Sequence, residues 1–369
     1  MWYSGIDLHK RTIALHTVDA DGTVVRQAQI AAHPEGLAAY FATLPGPHQA
    51  VVECTGMWYW VRDLLDAQGI DLRLGHAKYL KAISYAKVKT DAVDAATLAQ
   101  LLRVGLIPEA HMVPAGTRET RDLLRSRLVL VTRAVRCHRS IGALLEKYNV
   151  SAPAALPDLP RLQAALHAEQ EALLKTQIRR IEHELRDRVL ATPNAQRLVW
   201  IPGIGKMVAY TLLLEIDDIQ RFPTVRRFHS YCRLVPGAND SGGARRHQRS
   251  RDGNRYLKVA FHHAAVRAIQ YFEEIRAEHR RLLRRKGKAI ARALIAKELA
   301  TIVYAVLTKE QAFNGTFRGS VLSRTKDRQW PRLANPPASL APASVRTLDW
   351  GARRLVDREH LSLRAPRSV

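Results

Sequence analysis

The chain has 369 residues, with 58 Lys and Arg against 34 Asp and Glu and a net charge of +24. Its apolar runs fall far short of the roughly 18 to 20 residues that a membrane-spanning helix needs, and its first residues lack the charged-then-apolar pattern of a signal peptide. Three cysteines, far apart, fit neither a disulfide framework nor a zinc cluster. The composition excludes these classes, and we expect a cytoplasmic protein with no membrane partner.

The positive charge lies in the C-terminal part of the chain. Residues 1–112 contain 10 Lys and Arg and 11 Asp and Glu, so the whole excess of cations follows them. A field of this size attracts a polyanion, and without a membrane segment the polyanion to expect is nucleic acid. A solubilising surface is the alternative, but it gives no reason for the one-sided distribution.

Residues 1–112 alternate between strand and helix patterns. Three short segments rich in β-branched residues come first, and the turn signal DADG joins the second to the third. The apolar segment HQAVVECTG, residues 48–56, predicts a buried strand, and the last helix is predicted over about residues 90–104. We therefore expect a mixed α/β domain over 1–112, with Cys54 as a packed core thiol.

Residues 113–193 change to a purely helical pattern. Apolar residues recur at intervals of three and four in two stretches, and the proline-rich segment 149–160 between them must break the helix. This pattern predicts two long helices in an antiparallel coiled coil; a helical linker and a dimerisation arm are equally compatible with it. The recurring residues are Leu124, Leu128, Val131 and Val135, then Leu174, Ile178, Ile181 and Leu185.

Residues 194–318 hold a glycine turn, a polar segment and two further helical patterns, which predicts a mainly α-helical domain. The polar segment ANDSGGARRHQRSRDGN, residues 238–254, has the composition of a loop. The tail, residues 319–369, is basic and rich in Pro and Arg, as is typical of a chain that is disordered or that orders only on a partner.

Four carboxylates in the first domain stand where metal ligands would meet. Asp7 and Glu53 end two predicted strands, and Asp91 and Asp94 are three apart on one helix face. If the two strands are neighbours, all four acids converge, and such oxygen ligands suit Mg²⁺ or Mn²⁺. Ordinary explanations also exist: acids favour the first turn of a helix, and His9 would form an ion pair with them. Glu53, in an otherwise apolar strand, has no such explanation.

Two segments of residues 194–318 suit phosphate binding. IPGIGKMVA, residues 201–209, has the pattern of a helix-hairpin-helix turn in which Gly203, Gly205 and Lys206 contact a phosphate backbone, although a plain turn is equally compatible. Ser241 lies among arginines that would hold a phosphate, but a structural role is the commoner fate of a loop serine. No His and Asp stand at triad spacing, so a metal at the four acids is the plausible activator. The arginines that we assign to nucleic-acid binding are Arg245, Arg246, Arg249, Arg251 and Arg255.

These segments resemble those of one known family. GIDLHK, VVECTG and KTDAVDA are similar to the three segments that carry the Asp-Glu-Asp-Asp set in the RuvC-like (RNase H-like) α/β domain of insertion-sequence-110 family transposases, which include the Piv-type DNA invertases. IPGIG, LVPGANDSGG and RDGNRYLKVAFHHAA resemble the C-terminal transposase domain of that family. The motifs are weak singly, but six of them in the family's order, over roughly residues 4–270, are strong together.

The resemblance implies an RNA-guided DNA recombinase of an insertion sequence. It implies that Asp7, Glu53, Asp91 and Asp94 bind Mg²⁺, or Mn²⁺, and that Ser241 attacks DNA to form a covalent phosphoserine. The implied partners are a non-coding bridge RNA, donor and target double-stranded DNA, and further copies of the chain. These copies form a homodimer that assembles to a tetramer, with the acids of one protomer facing the serine of another. The implied location is the bacterial cytoplasm, in association with the nucleoid.

The implied division of the chain has four parts. A RuvC-like DEDD catalytic domain spans residues 1–112, a coiled-coil dimerisation region spans 113–193, and the transposase domain with the helix-hairpin-helix and the nucleophilic serine spans 194–318. The tail, 319–369, has no assigned motif. One departure from the family pattern is SRDGN, where Arg251 and Asp252 stand in place of the usual Lys or Thr-Lys before Gly-Asn.

Two other functions are compatible with the residues. In a metal-dependent nuclease of the junction-resolvase type, the four acids activate water, Ser241 only contacts phosphate, and no protein–DNA bond forms. In a non-catalytic nucleic-acid-binding scaffold, the acids are structural.

Overall fold

The computed structural model describes residues 1–44, 46–83, 90–189, 192–241, 244–248 and 252–313, and the side chains of these residues except at 82, 187, 189 and 238–248. Among the described residues no helix is long and apolar enough to cross a membrane. The predicted tail, residues 319–369, lies outside this part of the chain, and so do Arg249 and Arg251 of the serine segment.

A five-stranded sheet organises the N-terminal part. Its strands are β1 (Trp2–Leu8), β2 (Thr12–Val18), β3 (Val24–Ala31), β4 (His48–Glu53) and β5 (Asp71–Gly75). They lie in the order β3-β2-β1-β4-β5, with β1, β2 and β3 antiparallel and with β4 and β5 parallel to β1. The prediction of a mixed α/β domain is confirmed, and β1 and β4, which carry Asp7 and Glu53, are neighbours.

Four helices accompany the sheet: α1 (Pro34–Ala42), α2 (Tyr59–Ala67), α3 (Ala77–Ile83) and α4 (Asp91–Arg103). Leu37, Phe41, Val61 and Leu65 of α1 and α2 are buried in one cluster with Ile6 of the central strand. Helix α4 packs against β1, β2 and β4 and forms a second cluster with Val51. The central strands therefore lie between two helical layers, which explains their nearly continuous apolar sequence.

A buried hydrogen-bond network ties β1, β2 and β4 to helix α1. Ser4 Oγ lies 2.7 Å from His48 Nε2 and 2.5 Å from Thr17 Oγ1, and Thr17 Oγ1 lies 2.8 Å from the hydroxyl of Tyr40. Burial, followed by the N-terminal amine, lowers the pKa of His48 to about 4. The ring is therefore neutral near pH 7, as a buried imidazole should be.

Two long helices follow, α5 (Ala115–Lys147) and α6 (Asp158–Val189). Arg127 pairs with Glu182, and Cys137 pairs with Gln170. The later residue of α5 thus contacts the earlier residue of α6, so the two helices are antiparallel. The predicted break is confirmed over residues 148–157, whereas residues 158–160 already belong to the first turn of α6. The predicted seam is only partly right, because Val135 is 43% exposed.

The C-terminal part is mainly helical, as predicted. It contains α7 (Pro193–Val199), α8 (Lys206–Ile216), α9 (Val225–Tyr231), α10 (Arg255–Tyr271), α11 (Glu273–Lys286) and α12 (Lys288–Lys309). One hydrophobic cluster includes Leu198, Leu212, Phe228, Phe261 and Val303, which come from five of these helices. The helices surround a core separate from that of the sheet.

The serine segment is not the loop that its composition predicts. β6 (Gly237–Ser241) and β7 (Ala244–Gln248) form an antiparallel pair in which Ser241 lies opposite Ala244. The physical reason lies in the sequence: two residues, Gly-Gly, separate the strands, and this is a strong signal for a two-residue β-hairpin.

Candidate active site

Asp7 lies at the carboxyl end of β1 and faces α4. Gly5, two residues earlier on the same face of the strand, touches that helix so closely that a Cβ atom would come within 1.9 Å of the Ala95 carbonyl oxygen. Only glycine permits this approach of strand and helix. The contact sets the first turn of α4 beside the Asp7 carboxylate.

Glu53 ends the neighbouring strand on the same face. Val51, two residues earlier in β4, packs with Leu98 and Leu102 of α4. Because side chains alternate along a strand, Glu53 points to the α4 side as well. The last residues paired between β1 and β4 are Ile6 and Val52, so Asp7 and Glu53 follow that pair side by side.

Asp91 and Asp94 occupy the first turn of α4, where Thr90 Oγ1 caps the helix by accepting a hydrogen bond from the Val93 amide at 3.3 Å. Burial raises the pKa of the Asp7 carboxyl, the neighbouring His9 lowers it, and the charges of Asp91 and Asp94 raise it again. The structure therefore brings Asp7, Asp91 and Asp94 together and places Glu53 on the same face of the sheet. The ordinary helix-start explanation of the two α4 acids holds at the same time.

His9 belongs to the same cluster. Its Nε2 lies 3.0 Å from Asp7 Oδ2 and 3.4 Å from Asp91 Oδ1, and ligand atoms of these three residues lie within 4.8 Å of one another. Two carboxylates and an imidazole at this spacing can hold a divalent cation. The sequence predicted an ion pair for His9 but not a place in the donor set; its position two residues after Asp7 was the available signal.

The structure places Ser241 at the end of β6. On β7, Arg245 and Arg246 lie opposite Asp240 and Asn239 of β6. The side chains of Ser241 and of the two arginines are outside the described part. Arg255 begins α10, is exposed, and has its guanidinium 4.9 Å from the centre of the Tyr256 ring. Asp7, Asp91 and Asp94 thus form a described cluster, whereas the geometry around the serine hydroxyl stays a prediction.

The segment that follows the hairpin is firmly anchored. Asp252 forms an ion pair with Lys78 of α3, which links this segment to the N-terminal part. Asn254 caps α10 by accepting hydrogen bonds from the amides of Tyr256 and Leu257, at 2.8 and 3.1 Å. Its side-chain amide also donates to Glu215 at 2.7 Å, and the same buried carboxylate receives two hydrogen bonds from Arg125 of α5, at 2.6 and 2.7 Å.

Gly203, Gly205 and Lys206 line a groove of about 600 Å³ between α5, α8 and α10. Gly203 has a φ of +80°, and a Cβ atom there would lie 2.2 Å from the Ala264 carbonyl oxygen, so packing against α10 explains this glycine. Gly205, in contrast, has open space around it. The groove also has basic residues from α5 and α10, which are Arg125, Arg127, His263 and Arg267.

Comparisons with known proteins agree with this architecture. A family model of the DEDD type, described as "Transposase", matches residues 4–150, and a second, "Transposase IS116/IS110/IS902 family", matches residues 195–280. Together the two models match more than half of the chain. The first covers the four acids and the second covers Ser241.

Curated relatives extend the match over most of the chain. A "Probable family 20 transposase" of Pseudomonas aeruginosa is 28% identical over 340 residues, which are 84% of this chain and 97% of that protein. The "Transposase for insertion sequence element IS1328" of Yersinia enterocolitica is 26% identical over 84% of this chain and 98% of its own length. A "Pilin gene-inverting protein" of Moraxella bovis is 31% identical over 37% of this chain and 45% of its own length. From the paired family models and these relatives it follows that the chain belongs to the IS110 family of transposases and is an enzyme that acts on DNA.

Proposed function

We propose that the protein is the recombinase of an insertion sequence, which cuts and rejoins donor and target DNA through a phosphoserine at Ser241. The observation that carries the proposal is the meeting of Asp7, Asp91 and Asp94 at one sheet edge, where Glu53 faces the same helix. The strand order 3-2-1-4-5 supports an RNase H-like, RuvC-like classification of the sheet domain.

The four acids are the proposed ligands of Mg²⁺ or Mn²⁺. Asp7 is 8% exposed, and its neighbours Asp91 and Asp94 carry the same charge, so a cation would offset their mutual repulsion. When bound, a divalent ion supplies charge stabilisation to phosphoryl oxygens and favours an ionised oxygen nucleophile. Glu53 and Asp94 complete the proposed set of ligands. The close contact between β1 and α4 fixes the positions of Asp7, Asp91 and Asp94 relative to one another.

Ser241 is the proposed nucleophile. Its Oγ attacks phosphorus, a bond from Oγ to phosphorus forms, and the DNA oxygen on the far side of phosphorus leaves as a hydroxyl. Rejoining reverses this exchange with a hydroxyl from another strand. The proposed phosphate contacts are the guanidinium groups of Arg245, Arg246, Arg249, Arg251 and Arg255.

A second proposed nucleic-acid contact is the groove beside α8. Gly205 and Lys206 begin this helix, whose free amide groups favour a phosphate, and Gly203 shapes the turn. We also propose that a non-coding bridge RNA guides the choice of DNA, as the family resemblance implies, and that the basic excess beyond residue 112 binds both polymers. The proposed location is the bacterial cytoplasm, close to the nucleoid.

The proposed assembly is a homodimer that pairs into a tetramer. Helices α5 and α6 would form the coiled coil of region 113–193, between the catalytic domain, 1–112, and the transposase domain, 194–318. Exposed leucines recur along α6 at intervals of three, four and seven, the spacing of a coiled-coil seam without a partner. These residues, the leucine stripe, are Leu159, Leu162, Leu166 and Leu173.

An excision assay in cells tests the proposed function. A reporter gene interrupted by the element and its flanks would be restored by the wild type, whereas Asp7→Asn and Ser241→Ala should each lower restoration by more than about a hundredfold. Asp21→Asn and Ser151→Ala, at exposed positions away from the acid cluster, are the matched controls. Full restoration by Ser241→Ala would contradict the proposal.

A further inference from the structure

The elbow between α11 and α12 concentrates positive charge that none of the predicted sites includes. From residue 279 to residue 297 the chain has no acidic residue and eight cations. Gly287, with a φ of +77°, is the single residue between the two helices, so the end of α11 and the start of α12 adjoin. The eight cations are Arg280, Arg281, Arg284, Arg285, Lys286, Lys288, Arg292 and Lys297.

Six of these cations fall into two groups, and the other two, Arg292 and Lys297 of α12, are only partly exposed. Arg280 and Arg281 are already paired with acids of their own helix, Glu273 and Glu278. Four exposed cations form what we call the basic elbow, and in the described part of the chain no carboxylate is recorded within ion-pair distance of them. The residues of the basic elbow are Arg284, Arg285, Lys286 and Lys288.

Local helix electrostatics explain only part of the basic elbow. Cations in the last turn of α11 interact favourably with the helix dipole, but Lys288 is the first residue of α12, where the dipole disfavours a cation and no acid follows in the first turn. The pKa of His279 is lowered by burial and then by the charges of Arg292 and Lys288. Positive charge therefore accumulates at the elbow beyond what folding uses, and an external anion would compensate it.

We propose that the basic elbow binds the phosphate backbone of double-stranded DNA, independently of base sequence and apart from the Ser241 segment and the α8 turn. One observation favours DNA, and a second favours a duplex over a single strand. The protein acts on DNA, and the stretch 273–303 has no Phe, Tyr or Trp on which the bases of a single strand would stack. Exposed arginines and lysines without an aromatic neighbour are typical of backbone contacts, which position a duplex without reading it.

Duplex binding by the full-length protein at several salt concentrations tests this inference. Fluorescence anisotropy of a labelled mixed-sequence DNA duplex would compare the wild type with Arg284→Gln/Arg285→Gln and with the control Arg280→Gln/Arg281→Gln. The control removes the same two charges one helical turn earlier, from arginines that are already paired. All measurements are made in buffer without divalent metal, so the result does not depend on the catalytic chemistry.

The expected result is specific to the elbow variant. Its plot of log affinity against log salt should be shallower by roughly two, since each lost phosphate contact removes about 0.9 from the slope, and affinity near 0.1 M salt should fall about tenfold. An unchanged slope, or an equal change in the control variant, would overturn the inference. A labelled RNA duplex is measured as a second probe. If the elbow variant lost binding to RNA while its DNA binding stayed intact, the assignment to DNA would be overturned. A thermal unfolding curve that matches the wild type shows that the variant is folded.

Discussion

A side chain at Gly5 would overlap the helix that carries Asp91 and Asp94. The Cβ of alanine would lie 1.9 Å from the Ala95 carbonyl oxygen and 2.6 Å from the Ala99 amide nitrogen, both of them backbone atoms that cannot rotate away. Gly5→Ala should therefore lower the free energy of unfolding by about 3 kcal/mol and weaken Mn²⁺ binding, because α4 must move away from Asp7. Denaturant unfolding and metal titration measure the two effects. Gly56→Ala, with no atom within 4 Å, is the control, and an equal loss there would contradict this explanation.

Some residues of the site could be predicted from the sequence and others could not. Glu53 was identified because a charge at the end of an apolar strand needs a reason, and Asp7 because its strand was expected to neighbour that of Glu53. His9 was assigned only an ion pair, since its approach to Asp91 depends on packing between a strand and a helix distant in sequence. Cys54 was predicted in the core but is exposed, because β4 ends at Glu53, one residue earlier.

One buried carboxylate connects the three helices α5, α8 and α10. The Glu215 side chain is 1% exposed and holds Arg125 of α5 and the Asn254 cap of α10. Glu215→Ala should lower the free energy of unfolding by about 3 to 5 kcal/mol, because the guanidinium is left half-buried without its partner. The Glu273 carboxylate, in contrast, is 60% exposed in its ion pair with Arg276. Glu273→Ala should therefore lower the free energy of unfolding by less than about 1 kcal/mol. Similar losses in the two variants would contradict the structural importance of Glu215.

Elements with strong periodicity were predicted well. The sheet strands and the long helices followed their apolar patterns, but β6 and β7 did not, because polar residues fill both strands and only the Gly-Gly pair between them indicated a hairpin. The seam of α5 was misassigned at Val135 because two adjacent stripes of small and apolar residues exist there. Ala134 and Cys137, rather than Val135, pack against Leu174 of α6.

The exposed leucine stripe of α6 supports the proposal that copies of the chain associate. The exposed fractions are 56% at Leu162 and 57% at Leu166, an arrangement that costs solvation free energy in a monomer. Leu162→Glu/Leu166→Glu should shift the protein from dimer to monomer in light scattering coupled to size exclusion. The control Gln163→Glu/His167→Glu places two glutamates one position later on the helix. It should leave the molar mass measured by light scattering at that of the dimer. A dimeric stripe variant would show that the interface lies elsewhere.

We propose that the acid cluster and Ser241 act as one active site. The most direct test is a covalent-adduct assay, in which the protein is expressed with its element's flanking DNA, denatured in detergent and probed for DNA that stays attached. The expected result is an adduct with the wild type and none with Ser241→Ala or Asp94→Ala. Cut DNA without an adduct, with cutting retained by Ser241→Ala, would contradict it and indicate a hydrolytic nuclease instead.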